Sequence, residues 1–313
     1  MDLSIVIVNW NTRELLRNCL ASLGGACASL EYEVLVVDNH SADGSAEMVD
    51  ASFPAYSLIP SGGNLGFSKG NNLAFDRCRG DFVLLLNPDT ICPDGSLAKL
   101  VAWCRDKKNL GAATPMLTDA QGNPTITSGY FPSARFHWLG FIDPLRKLPF
   151  SSLQNRIVHI PSRSEPSSTL QYATGACFIM PRSSLELVGP LDDRFFMYFE
   201  ETDWCWRARQ AGLEIWYCNE TEVIHLEGQA AEKASTFATR QFQKSYRLFI
   251  EKNYAPNQVW KFRLAQFMEY ATKAILRSLV PWNRPKNSAL ASTFLQRSKL
   301  QLQSKITVEI PKS

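Results

Sequence analysis

Near the start of the chain lies a short apolar run, LSIVIVN at 3–9, hydrophobic at consecutive positions, which predicts a strand covered on both faces. The period then changes. Leu15, Leu16, Cys19, Leu20 and Leu23 share one face of a 3.6-residue repeat and predict a helix over 13–23. EVLVVD at 33–38 is a second buried strand, and Asp43-Gly44-Ser45 opens a short helix to about Val49, with Asp43 as its cap. A third strand is expected near 56–59. The loop SGGNLGFSKGNN leads into a helix over 70–78, FVLLL at 82–86 is a further strand, and 97–104 has helical spacing. From about 119 to 170, Pro, Ser and Gly dominate and periodicity fades, which predicts a long variable loop region over the mouth of a site. Regular structure resumes at 172–181. A helix over 200–211 ends at Gly212, EIWYC and EVIHL read as two short strands, and helices follow over 236–252 and 257–279. The polar stretch beyond Pro281 is expected to be partly disordered.

Strands that alternate with helices and are apolar on both faces define an α/β protein with a mostly parallel sheet flanked by helices. Ligands of such sheets bind beyond the carboxyl ends of the strands. Asn9, Trp10 and Asn11, then Asp38 with Asn39, then Asn87-Pro88-Asp89 all stand at predicted strand ends. Three polar clusters from distant sequence therefore converge on one edge.

Composition removes other classes. With 313 residues, 45% hydrophobic and 20% charged, the chain has enough apolar material for a large core, which excludes disordered, collagen-like and disulfide-dense proteins. No apolar run approaches the ~18 residues of a membrane span, and no basic signal segment precedes the first strand, so the cytosol is the expected compartment. None of the eight cysteines has C-x-x-C spacing, which argues for buried thiols and against a zinc ribbon or redox motif. The net charge of +3 is uneven: residues 231–313 carry +11 and residues 1–230 carry −8. The acidic body and basic appendage suggest contact with an anionic surface. The appendage reads WKFRLAQFMEYATKAILRSLVPWNRPK; this segment either packs as a helix on the catalytic body or lies on anionic lipid. Nucleic acid is not an expected partner, since no recognition module accompanies the charge. Dinucleotide, P-loop, zincin and nucleophile-elbow motifs are all missing.

The ordered blocks SIVIVNWN, VLVVDNHSADGS, GNLGFSKGNN, FVLLLNPDT, TGACFIMPR and FFMYFEETDWCWRARQAG followed by VIHLEG resemble the inverting glycosyltransferase family 2, in its rhamnosyltransferase-like branch. The resemblance spans about 3–230. It implies a GT-A nucleotide-diphospho-sugar transferase fold, a nucleoside-diphosphate sugar donor and a divalent metal, Mg²⁺ or Mn²⁺. The expected division is a catalytic domain over 1–230 and a basic helical C-terminal extension over 231–313. Within the catalytic domain, 1–118 is the nucleotide-sugar-binding half and 119–230 the acceptor and catalytic-base half.

The resemblance also implies roles. Asp38 accepts the imide N–H of a uracil or thymine ring, where the local alternative is an Asx turn. Asn87-Pro88-Asp89 takes the place of the family's D-x-D motif with a neutral first residue, which makes Asp89 the main carboxylate on a metal. His225, otherwise an ordinary strand histidine, contacts metal or diphosphate. Glu200, Glu201 and Asp203 open a helix where acids suit the macrodipole. The family's acidic pair aligns with Glu200-Glu201, making Glu201 the candidate general base and Asp203 the runner-up. Asn64, Gly66, Asn71 and Asn72 belong to a loop whose small residues let a sugar or phosphate approach, and Asn9, Trp10 and Asn11 line the nucleoside site. Trp204 and Trp206 lie on opposite sides of their helix, one for the core and the other for an acceptor. The implied reaction moves a sugar, with rhamnose suggested by the branch, from a TDP- or UDP-sugar to a glycan or lipid-linked acceptor. The setting that the resemblance and the basic tail imply is the cytoplasm, with peripheral contact at the cytoplasmic membrane face. The alternative is a non-catalytic nucleotide-sugar-binding or scaffold protein of glycan assembly.

Overall fold

A computed structural model describes residues 1–134, 158–226, 235–279 and 284–303. The described residues divide into two compact units: 1–130 with 158–226 and 235–238, and 131–134 with 239–279 and 284–303.

The first unit is built on a sheet ordered β3-β2-β1-β4-β11-β6-β12-β5, with β9 beside β12. Its strands are β1 (Leu3–Asn9), β2 (Tyr32–Asp38), β3 (Ser57–Pro60), β4 (Phe82–Leu86), β5 (Thr90–Ile91), β6 (Leu110–Thr118), β9 (Ser168–Leu170), β11 (Cys177–Pro181) and β12 (Glu214–His225). β3, β2, β1 and β4 are mutually parallel, as are β6 and β12, while β11 runs antiparallel between β4 and β6. β1, β2, β4, β6 and β12 therefore end on the same rim, and β11 begins there.

Helices α1 (Arg13–Cys27), α2 (Ser45–Ser52), α3 (Gly66–Phe75), α4 (Ser96–Arg105), α5 (Arg182–Val188) and α6 (Glu200–Gln210) flank the sheet. One core joins Leu16, Leu20 and Leu23 of α1 and Leu97 and Leu100 of α4 to Ile5, Ile7, Val36 and Leu84 of the sheet. Every residue of β1 and β4 is buried, as their unbroken apolar runs require. All eight cysteines are buried and unpaired; burial pushes the Cys19 thiol up to about 12, so it acts as a hydrophobe. A second, antiparallel sheet is ordered β10-β7-β8, from β7 (Ser128–Gly129), β8 (Val158–His159) and β10 (Tyr172–Ala173).

Several expectations need correction. EIWYC and EVIHL are one strand, β12, whose pairing with β6 shifts between Cys218 and Glu222. The polar Asn219 and Glu220 bulge outward there. β6 was not expected at all; Pro115 interrupts its pattern and pairs with Cys218 beside that irregularity, a place where a missing N–H is tolerated. α3 starts at Gly66 rather than 70, and α1 continues to Cys27. Asp43 bonds the amide and hydroxyl of Ser45, but Gly44 occupies the cap position of α2. The 119–170 stretch contains β7, β8 and β9, and its part over 135–157 lies outside the described residues.

The second unit contains most of α7 (Ser235–Asn253), with α8 (Pro256–Leu279) and α9 (Arg284–Leu302). α9 stands where a partly disordered tail was expected. Its buried face is largely polar: Ser298 and Gln301 are both buried, and Gln301 donates to Gln243 while Gln243 donates to Tyr270. Such a helix has little apolar periodicity to read.

Candidate active site

Asn9 and Asp38 are paired neighbours at the ends of β1 and β2. Asn9 Nδ2 donates to Asp38 Oδ1 at 3.2 Å and to Ser41 Oγ at 3.1 Å, and Thr12 Oγ1 donates to Asn9 Oδ1 at 2.6 Å. The Ser41 amide donates to Asp38 Oδ2 at 2.9 Å. Each Asp38 oxygen thus has one donor, while a carboxylate offers about four lone-pair sites. Asp38 keeps acceptor capacity for a ligand N–H. Asn11 sits at φ 54, with its side chain accepting from the Ala42 amide, and Trp10 is half-buried with an indole N–H that meets no partner among the described residues. Ser41 and Thr12 were not singled out in the sequence, although Ser41 lies inside the DNHSADGS block.

β5 runs antiparallel to β12 and pairs Thr90 with His225. That register brings the side chains of Asp89 and His225, 136 positions apart, to 3.2 Å between Oδ1 and Nε2. The Leu226 amide donates to the Asp89 carbonyl at 2.9 Å and fixes the junction. The loop before it is held by Thr90, whose amide and hydroxyl donate to the Asn87 carbonyl. A carboxylate oxygen and an imidazole nitrogen are a sound pair for Mg²⁺ or Mn²⁺. Two ligands at about 2.1 Å on adjacent octahedral positions stand about 3 Å apart, which the observed spacing matches. Among the described residues no group of three or more His, Cys, Asp or Glu side chains gathers at one point, so a metal here would rely on substrate oxygens for its other positions. The donor set fits that use.

The acidic cluster separates into three environments. Asp203 is fully buried and accepts from Arg207 Nε at 3.0 Å, and Arg207 also donates to the carbonyls of Val188 and Pro190. It braces α6 against the 188–190 turn and is not placed as a base. Glu200 is buried, and burial together with the Glu201 charge pushes its carboxyl well above the usual range. Glu201 reaches partly into solvent. Its Oε2 is nonetheless enclosed without a partner among the described residues, and desolvation raises its carboxyl to about 7 against the lowering effect of amides at Gly175 and Thr202. Tyr198 and Phe199, just before α6, hold φ of 69° and 71°. Two consecutive non-glycine residues in that region cost roughly 1–3 kcal/mol each, a strain located where the acidic pair is presented.

Gly175 and Ala176, which sequence reasoning passed over, tie the parts together. The Gly175 amide meets Glu201, and the Ala176 carbonyl accepts from the Asn87 amide at 3.0 Å. Glu201 and the Asn87–Asp89 turn therefore hang from adjacent residues just before β11. On the other side, Asn39 Nδ2 donates to the Gly66 carbonyl at 3.0 Å, and the Phe67 amide donates to Phe196 at 2.7 Å. Phe67 in turn lies over Gly175. Asp38, Asp89, His225 and Glu201 thus belong to one connected rim.

The glycine-rich loop serves packing more than was expected. A Cβ on Gly66 would stand 2.3 Å from the Phe196 carbonyl, at φ 79, so this glycine permits a chain crossing. Asn72 spends both ends of its amide on the Leu191 backbone. Asn71 donates to Phe67, with its buried Oδ1 unpartnered among the described residues, and Asn64 accepts from the Gly66 amide. Trp204 is the core member of its pair, its indole donating to Gly189, while Trp206 is half-buried.

A sheet with this strand order and this rim has the architecture of the GT-A glycosyltransferases. The mannosyltransferase PcManGT of Pyrobaculum calidifontis, solved with GDP-mannose and Mn²⁺, shares the fold. It superposes with a TM-score of 0.57 over 96% of this chain and 84% of its own, at 15% identity. The chain belongs to glycosyl transferase family 2, whose family model matches residues 4–189. It is similar to the low-salt glycan biosynthesis hexosyltransferase Agl10 of Haloferax volcanii, at 27% identity over 88% of this chain and 82% of the relative. It is also similar to an N-acetylglucosaminyl-diphospho-decaprenol L-rhamnosyltransferase of Mycobacterium tuberculosis, at 27% identity over 79% and 83%. The protein is a sugar-transferring enzyme.

Proposed function

We propose that the enzyme transfers a hexose, with inversion at the anomeric carbon, from a nucleoside-diphosphate sugar to a hydroxyl of a glycan or lipid-linked glycan. The observation that carries this reading is Glu201. Of the three acids at the start of α6 it alone combines partial exposure, an unpartnered oxygen and a carboxyl near neutrality. Such a group is matched to take a proton at physiological pH. In the proposed step the acceptor oxygen attacks the anomeric carbon and Glu201 takes its proton. The bond from that carbon to the diphosphate breaks, leaving the electron pair on the departing nucleoside diphosphate. Glu200 keeps its own proton and limits the pair to one charge. Asp38, oriented by Asn9 and the Ser41 amide, accepts the imide N–H of the base, and Trp10 borders the nucleoside. Asp89 and His225 would hold Mg²⁺ or Mn²⁺, which when bound offsets charge on the diphosphate.

L-rhamnose as the sugar and a polyprenyl-diphosphate-linked acceptor are suggested by the name of the mycobacterial relative; TDP as its carrier follows from the branch the sequence resembles, with UDP-sugars as the alternative donor. Contact with an anionic membrane surface is supported by α8. Trp260, Leu264 and Ile275 lie on one face of it, exposed by 55, 41 and 60%, beside the exposed Lys261. Among the described residues no helix is long and apolar enough to cross a membrane. The test is release of nucleoside diphosphate from a panel of nucleotide sugars with acceptor present. Glu201→Gln and Asp89→Ala should each lower turnover at least about a hundredfold. Wild-type rates in either variant would remove that residue from the mechanism.

A further inference from the structure

Apart from the rim, the first unit contains a cavity of about 310 Å³ between the small sheet, β9 and the end of α6. Its floor is a fixed chain of side chains. Ser128 Oγ lies 2.9 Å from His159 Nδ1, and His159 Nε2 lies 2.7 Å from Glu165 Oε1. The order resembles a hydrolytic triad, but Ser128 is fully buried and has no approach for an electrophile. The chain is a brace: it fastens the 159–165 turn to β7, and the Ser162 amide closes it on Glu165.

What the brace presents is a mixed polar surface. Arg209 donates one N–H to the Leu170 carbonyl at 2.9 Å, and its other N–H groups meet no partner among the described residues. Thr169 and Tyr130 line the cavity and are both exposed, Tyr130 by 41%. One cation and one carboxylate balance each other, which disfavours a phosphate. His159 and Glu165 are engaged with one another, which disfavours a metal. Separate donors and acceptors beside an accessible aromatic ring suit a neutral polyol.

The cavity is mechanically continuous with the proposed base. Arg209 is eight residues beyond Glu201 on α6, about 12 Å along the axis. Tyr172, which feels the Glu201 charge, pairs with Gly129 of the cavity floor. That distance suits a short oligosaccharide better than a single sugar. We infer that this cavity is a carbohydrate subsite holding a neutral pyranose of the acceptor, remote from the hydroxyl that is glycosylated. The inference rests on the transferase reading above for its term "acceptor", but not for its sugar chemistry.

The test uses the full chain without donor or metal, and saturation-transfer NMR with L-rhamnose and N,N′-diacetylchitobiose as probes. At least one probe should be saturated by the wild-type protein. Tyr130→Ala should weaken it roughly three- to tenfold, and Thr169→Val should weaken it further in combination. An unchanged thermal midpoint in Tyr130→Ala shows that the fold is intact. No saturation of either probe, or equal binding by wild type and the double variant, overturns the subsite. Neither result touches donor turnover, whose loss in Asp89→Ala and Glu201→Gln tests the transferase reading separately.

Discussion

Replacing Glu201 by Gln should make the enzyme inactive and, at alkaline pH, more stable. The folded protein raises this carboxyl from 4.5 to about 7. At about 1.4 kcal/mol per pH unit, that is about 3 kcal/mol of disfavour for the charged form. Part of Glu201 is solvated, so about 1–2 kcal/mol is the expected share. The sign follows from proton binding. A carboxyl whose folded value is raised contributes stability that is complete below 4.5 and is lost as pH rises toward 7. Wild type should therefore weaken between about pH 5 and pH 8 by that amount relative to Glu201→Gln, which has no proton to lose there. Gln retains a carbonyl oxygen for the Gly175 and Thr202 amides, and without the Glu201 charge the neighbouring Glu200 is easier to ionise. In thermal unfolding, the midpoint difference between variant and wild type should grow by about 2–6 °C from pH 5 to pH 8. A constant difference, or a variant less stable at pH 8, would show that desolvation does not govern this carboxylate.

Three further outcomes follow from the same geometry. The acid limb of kcat/KM should rise with pH and level off above an apparent value of about 7, because the proposed base, Glu201, would act in its ionised form; a flat profile from pH 5 to 8 would refute the assignment. Mn²⁺ with a nucleoside diphosphate should raise the thermal midpoint of wild type but not of Asp89→Asn or His225→Ala, and a preserved shift would move the metal elsewhere. Gly66→Ala should cost more than about 2 kcal/mol in denaturant unfolding, given a Cβ 2.3 Å from the Phe196 carbonyl at φ 79; near-wild-type stability would mean that the crossing of α3 and the 196 loop yields easily.

The parts of the fold legible in the sequence are those whose burial is uniform. β1 and β4, and β2 from Val34 onward, are sealed on both faces, and their runs announce it. β6 is equally buried, yet Gly111 and Pro115 break its pattern, and only the irregular register opposite Cys218 makes room for the proline. α9 escaped because part of its buried surface is hydrogen-bonded glutamine and serine. Hydrophobic periodicity reports the common solution to burial and is silent about polar ones.

At the site, residue type and strand position identified which side chains stand on the rim, but not which are already spent. Asn72 and Asp38 look alike in sequence, each polar and each beside a loop. Asn72 is consumed by Leu191, whereas Asp38 retains acceptor capacity. The acidic cluster was more readable than it first seemed. Asp203 has Arg207 four residues on, the spacing at which helix side chains pair, and the structure closes that pair at 3.0 Å. Glu201 has Cys205 at the same offset and Glu200 has Trp204, so neither has a cation on its own helix to hold it. An acid without an intrahelical partner, at the start of a helix beside strand ends, either finds a partner across the fold or stays protonated more readily. Among the described residues Glu201 finds only backbone amides, and that shortage of countercharge leaves it basic enough to take a proton.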